Sequence, residues 1–177
     1  VDDIYGLNAV KLNGNISWDK PAWSDGEYVG DSGHGTHVAG TIAAVNNNGI
    51  GVCGVAGGDG SGNNGVRIMS IQIFDGVHHP DLSQKAKGIT YAADNGASIL
   101  QNSWGYDLYP GQTMSDASYE DQFGVELAAL RYFVGKSNCP AMTGGVAIFA
   151  AGNDARATAS YPGAFNQFLC VTAYGPD

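Results

Sequence analysis

The feature that most narrows the folds open to this chain is a pair of short, nearly uninterrupted apolar runs, residues 146–151 (VAIFAA) and 168–173 (FLCVTA). A strand without a polar face suits a parallel sheet covered by helices, where neither side meets water. Other segments supply the helices. Small and apolar residues at helical spacing run from His34 to about Val45 (Val38, Ile42, Val45). Leu82, Ala86, Ile89 and Ala93 mark a second helix, ended by Asn95-Gly96, and Phe123, Leu127, Leu130 and Val134 stripe a third. Residues 66–74 (VRIMSIQIF) and 98–103 read as further strands. This alternation predicts an α/β fold, a mainly parallel sheet with helices on both faces.

With 177 residues, no internal repeat and no low-complexity linker, the chain reads as one domain or part of one. Its net charge of -9 disfavours nucleic acid and anionic lipid as partners. No apolar run reaches the ~18 residues that cross a bilayer, so no membrane span is expected. Of the 17 acidic residues 14 are Asp, which suits turns and calcium-compatible loops better than charged helix faces. The cysteines, Cys53, Cys139 and Cys170, lack metal-ligand spacing and are expected to be buried thiols.

Several strings imitate functional motifs without the context that gives them meaning. Gly60-Ser61-Gly62-Asn63-Asn64-Gly65 and Gly49-Ile50-Gly51-Val52-Cys53-Gly54 both fit G-x-G-x-x-G. Neither follows a strand and opens a helix, so no helix N-terminus would face a pyrophosphate. Gly135-Lys136-Ser137 lacks the earlier glycine of a phosphate loop, whose place is taken by Leu130. His78 and His79 diverge as neighbours, and with Asp81 they lack the i, i+4 spacing of a helical metal site. No cofactor is expected for catalysis, and no metal ligand is assigned.

Chemistry concentrates in Gly33-His34-Gly35-Thr36-His37-Val38-Ala39-Gly40-Thr41. A histidine on the first turn of a small-residue helix is held rigidly, and flanking glycines let substrate come close, which is what a general base needs. His37, one turn further, is taken as a structural histidine in the packed helix. Two strand ends add Asn102-Ser103-Trp104-Gly105 and Ala150-Ala151-Gly152-Asn153. Each puts glycine and a polar amide at the carboxyl end of a strand, where open α/β sheets gather their chemistry.

The histidine segment closely resembles the histidine signature of subtilisin-like serine peptidases, the subtilases. The resemblance continues in order through nearly the whole chain. Residues 46–55 (NNNGIGVCGV) are similar to the loop after that helix, 96–105 (GASILQNSWG) to the substrate-binding strand, and 149–153 (FAAGN) to the oxyanion-asparagine motif. Tyr161-Pro162-Gly163 and the strand ending at Ala173 are similar to the family's segments after that motif, and residues 1–6 (VDDIYG) to an insertion before the histidine in some subtilases. The resemblance implies that His34 takes a proton from a serine hydroxyl and returns it to the leaving amine, and that Asn153 donates its side-chain amide to the oxyanion. It further implies that Ser103, Trp104 and Gly105 form the edge on which an extended peptide lies as an added strand. Ala151 and Gly152 would form another wall of the primary specificity pocket.

The family's nucleophile motif, G-T-S-M-A-x-P, does not occur in the chain. Ser103 does not replace it, because N-S-W-G is not a nucleophile elbow. The family's acid belongs to D-[ST]-G at the end of an apolar strand. Asp31-Ser32-Gly33 spells that string without such a strand and abuts His34, so Asp31 reads as an N-terminal turn group of the helix. Residues 74–82 (FDGVHHPDL) echo the acid strand and its sequel but come after the histidine. The acid is therefore expected before Val1 and the serine beyond Asp177, in the parent chain or in a separate one. Residues 1–177 are then the central part of a subtilase catalytic domain, subtilisin-like but incomplete and inactive alone. The complete protein is expected to be a secreted or extracytoplasmic serine endopeptidase acting on peptides or proteins. The alternative is an inactive subtilase-like module that binds extended peptides. A third reading, a calcium-stabilised structural domain, rests on the Asp, Asn and Gly loops, with carbonyls of residues 46–49 available to the ion and no ligand set assigned.

Overall fold

The computed structural model describes residues 6–16, 22–24, 27–29, 33–61, 64–75, 80–106, 108 and 112–175. They divide into two units, one within residues 3–81 and the other within residues 82–177. The readings made on residues 1–5, on Asp31 and Ser32, on Gly62 and Asn63, and on His78 and His79 lie outside the described residues.

In the first unit, β1 (Leu7–Asn8) pairs in parallel with β4 (Ile71–Gln72), Leu7 opposite Ile71. The strand expected over residues 66–74 is thus two residues long, and Val66 and Ile68 are exposed. β-branched composition favours a strand only where a neighbour supplies ladder bonds and packing, and among the described residues that neighbour is two residues of β1. β2 (Ala22–Ser24) and β3 (Glu27–Val29) form an antiparallel hairpin with Ser24 opposite Glu27.

Helix α1 spans His34–Ala43, two residues short of the expected Val45. What ends it is a returning loop. The N–H groups of Gly54, Val55 and Ala56 donate to the carbonyls of Ala44, Thr41 and Ile42 at 2.9, 2.8 and 2.8 Å. Carbonyls left unpaired at a helix C-terminus are thereby satisfied. The approach is backbone on backbone, and a Cβ on Gly57 would lie 1.8 Å from the Ala44 oxygen. Glycine in this stretch therefore serves helix termination.

The second unit holds the larger sheet, β5 (Ile99–Asn102), β6 (Val146–Ala150) and β7 (Leu169–Val171), in the order β5-β6-β7 and parallel throughout. Helix α2 (Leu82–Asp94) leads into β5, and α3 (Asp116–Gly135) carries the chain from β5 to β6, as a parallel pair requires. This is the expected parallel-sheet α/β pattern. Ser115 caps α3 by accepting from the Ser118 N–H at 3.2 Å, and Asp116 sits favourably in its first turn.

Leu100, Ala147 and Phe149 are buried on one face of the sheet. Phe149 continues through Phe168 and Phe165 to Tyr119 of α3, with ring centroids 5.5 to 5.6 Å apart at each step. The uninterrupted apolar runs suggested burial on both sides. Instead β6 alternates between buried and partly buried residues, and β7 is exposed along its length. The expectation of three buried thiols is likewise corrected: Cys53 and Cys170 are exposed and Cys139 is intermediate. Cys170 follows the exposure of its strand, and Cys53 lies in the loop that returns to α1.

Candidate functional site

His34 is the first residue of α1, and its side chain is exposed. The preceding Gly33 is the N-cap in a left-handed conformation, φ 87°, which a residue with a Cβ adopts at a cost. The Gly33 carbonyl accepts the His37 N–H at 2.9 Å, closing the first turn directly behind His34. No residue of α1 is buried, and His37 is exposed, contrary to the packed setting expected for it. Among the described residues, backbone bonds from the returning loop reach the last turn of α1, while His34 and His37 are exposed on its first.

At the end of β5, Asn102 is buried and acts as a pin. Its Nδ2 donates to the carbonyls of Leu100 and Ile148 at 3.2 and 3.1 Å, and its Oδ1 accepts the Trp104 indole N–H at 3.2 Å. Trp104 also meets Phe149 edge-on, with centroids 5.7 Å apart. Ser103 Oγ accepts from Gln101 Nε2 at 2.8 Å. Beyond them the Tyr106 N–H donates to the Tyr161 carbonyl at 2.8 Å, an isolated antiparallel bridge.

At the end of β6, the Ala151 N–H donates to Val171 O and the Ala151 carbonyl accepts the Ser160 N–H, both at 2.9 Å. Gly152 has φ 102°, and Asn153 is exposed on the loop beyond it. A Cβ on Gly152 would stand 2.7 Å from Ser160 Oγ, and one on Gly105 3.0 Å from Ser160 Cβ. The structure therefore brings the segments Ser103-Trp104-Gly105 and Ala151-Gly152 together on Ser160-Tyr161. His34 belongs to the other unit. Asn102 was singled out in sequence as the amide at that strand end, though not for its pinning role; Ser160 was not singled out. For Ser160, a small residue ahead of Tyr161-Pro162-Gly163, there was no signal in the sequence.

Behind the Trp104 edge lies a polar group that the sequence analysis also missed. Glu126 of α3 is 0% exposed, and its two carboxylate oxygens accept from Tyr106 Oη and Tyr119 Oη, each at 2.6 Å. Lys85 of α2 donates to Tyr106 Oη at 3.0 Å, and its ammonium lies over the rings of Trp104 and Tyr106, 4.9 and 4.5 Å from their centroids. Burial, followed by the Glu126 carboxylate, pushes both phenols well above the usual tyrosine range. Burial also lowers the Lys85 ammonium, against the pull of Glu126. The clue was a glutamate beside the apolar stripe of α3, Phe123 to Leu127, in a chain with only three Glu.

Comparison with known proteins gives consistent matches. The model of the Subtilase family matches residues 6–176. The chain is 31% identical over 139 residues to Subtilisin-like protease 1 of Plasmodium falciparum (isolate 3D7), covering 78% of this chain and 17% of that protein. It is 41% identical over 112 residues to Fervidolysin of Fervidobacterium pennivorans, covering 59% and 14%. With Thermitase of Thermoactinomyces vulgaris it shares 30% over 142 residues, covering 80% and 41%. The chain thus spans less than half the length of each of these curated relatives.

Proposed function

Since this chain belongs to the Subtilase family, we propose that it is part of a serine endopeptidase that cleaves peptide bonds by acyl transfer. His34 is the general base, drawing the proton from a serine hydroxyl and delivering it to the leaving amine. Asn153 donates its amide to the oxyanion as negative charge develops there. The serine and the acid that orients the imidazole come from chain outside residues 1–177. Ser103, Trp104 and Gly105 hold an extended peptide through main-chain bonds, and Ala151 and Gly152 wall the pocket for its principal side chain. The complete protein is secreted or otherwise extracytoplasmic.

What carries this reading is that the chain holds both Gly33-His34-Gly35-Thr36-His37 at the start of α1 and an exposed amide, Asn153, on the loop after β6. Acyl transfer uses both groups, whereas a module that only holds peptides has no use for an oxyanion donor. A fluorophosphonate probe followed by intact-mass measurement of every denatured species tests it. Label on a species heavier than 18.3 kDa, or on a second chain, supports the peptidase. An unlabelled parent protein that still binds peptides supports the inactive module and removes the enzyme reading.

The loop after α1 is the proposed place of a structural calcium ion. Asn46 Oδ1 is buried without a hydrogen-bond partner among the described residues, and calcium favours neutral and charged oxygen ligands alike. Among the described residues no group of three or more His, Cys, Asp and Glu is placed to hold a metal, so amide and main-chain oxygens would supply the ligands. An unchanged melting temperature on adding calcium after chelation would remove this proposal.

A further inference from the structure

We propose that Glu126 is a positioning residue for the peptide-binding edge, holding the Trp104–Tyr106 segment in register from the middle of α3 through the hydroxyl of Tyr106. The inference rests on reading Ser103, Trp104 and Gly105 as that edge. Its physical basis is a carboxylate that is 0% exposed yet engaged on both oxygens, by Tyr106 Oη and Tyr119 Oη at 2.6 Å each. A charge buried this completely is tolerated only when it is fully hydrogen-bonded, so the two phenols are fixed wherever the carboxylate is.

The two phenols do different work. Tyr119 belongs to α3 itself and to the aromatic cluster with Tyr161 and Phe165, so its bond ties Glu126 into the core. Tyr106 belongs to the edge. Its main-chain N–H donates to Tyr161 O at 2.8 Å, one residue from the glycine that abuts Ser160. Its ring lies 4.2 Å from Phe123, where α3 departs from helical geometry, and it shares Lys85 with Trp104. The chain Glu126, Tyr106, Lys85, Trp104 therefore fixes both aromatic residues that flank Gly105. An edge that binds peptide by main-chain bonds needs its own backbone held to a fraction of an ångström, and side chains locked from behind supply that.

The chemistry of the acceptor predicts a pattern of variants. Glu126→Leu keeps a similar volume and removes both acceptors. Glu126→Gln keeps one acceptor oxygen and adds an amide that can donate to the other phenol, so it should restore most of the function. Tyr106→Phe keeps the ring against Phe123 and removes only the hydroxyl, and it serves if Glu126→Leu does not fold.

The test combines kinetics and hydrogen exchange on the complete protein. Glu126→Leu and Tyr106→Phe are expected to raise KM for peptide substrates about tenfold with kcat nearly unchanged, because a loosened edge weakens ground state and transition state alike. Exchange of the Tyr106 amide is expected to speed up about tenfold in both variants, while amides of β6 keep their protection. Glu126→Gln is expected to lie close to wild type in both measurements. Wild-type KM and wild-type Tyr106 exchange in a folded Glu126→Leu or Tyr106→Phe protein overturn the proposal, as does a fall in kcat alone. Should the wild-type protein cleave no peptide, the peptidase reading fails while the exchange measurement still decides whether Glu126 holds the edge.

Discussion

Gly105 and Ser160 approach so closely that a methyl group on the glycine would come within 3.0 Å of the serine Cβ. Gly152 meets the same serine, its absent Cβ falling 2.7 Å from Ser160 Oγ. Two strand ends far apart in sequence thus converge on one small residue. The closeness depends on glycine at both positions, but the two glycines are under different constraints.

Gly152 also has φ 102°, a backbone conformation that residues with a Cβ adopt at a cost. Gly152→Ala is therefore expected to destabilise the protein by about 1 to 3 kcal/mol, combining backbone strain with displacement of Ser160. Gly105→Ala, with no such conformational demand, is expected to cost less. Urea denaturation of the two variants beside wild type checks the order, and equal midpoints would contradict it.

Much of this arrangement was readable beforehand, and the remainder shows what patterning omits. The helical stripes of α2 and α3 located their elements because burial imposes a period on sequence, and the apolar, β-branched runs of 146–151 and 168–173 located β6 and β7 by composition, although β7 proved exposed. The same reasoning overextended residues 66–74, whose strand among the described residues pairs with only two residues of β1. Pairing is a property of the partner and not of the run itself. At the site, glycine and amide at strand ends pointed to Gly105 and Gly152 but not to Ser160, which only the folded chain brings to them. Glu126 was hidden for a related reason. A lone carboxylate beside an apolar stripe has meaning only once Tyr106 and Tyr119 are known to meet it.

Replacing His34 separates chemistry from folding. The side chain is exposed at the start of α1 and contributes nothing to a buried core, so His34→Ala should leave the melting temperature close to wild type. Peptide hydrolysis by the complete protein should fall by about 10⁶-fold, the scale seen when a triad base is removed. A stopped assay with a chromogenic peptide, run beside a thermal melt, reads both. Retained turnover would sink the general-base assignment.

Asn153 should behave differently, because an oxyanion donor acts on charge that exists only in the transition state. Asn153→Ala is expected to lower kcat about 10² to 10³-fold with KM nearly unchanged. Exposure of the residue on its loop makes loss of folding an unsuitable explanation. If KM changes and kcat does not, Asn153 belongs to substrate binding.

The buried phenols give the protein a limit at high pH. Tyr161 Oη donates to Asp116 Oδ1 at 2.7 Å, and burial, with that carboxylate, pushes its pKa up from 10.0 to about 12. Tyr106 and Tyr119 move in the same direction through burial and Glu126. A phenol whose pKa is raised by folding stabilises the native state fully below its unfolded value. That stability is lost as pH climbs towards the folded one, since the unfolded chain sheds the proton first. Denaturation midpoints are therefore expected to fall steadily from pH 10.0 towards about 12. Tyr161→Phe, which has no proton to lose, should fall less steeply over that interval than wild type. Urea melts at a series of alkaline pH values compare the slopes, and identical slopes would show that folding does not raise the Tyr161 pKa.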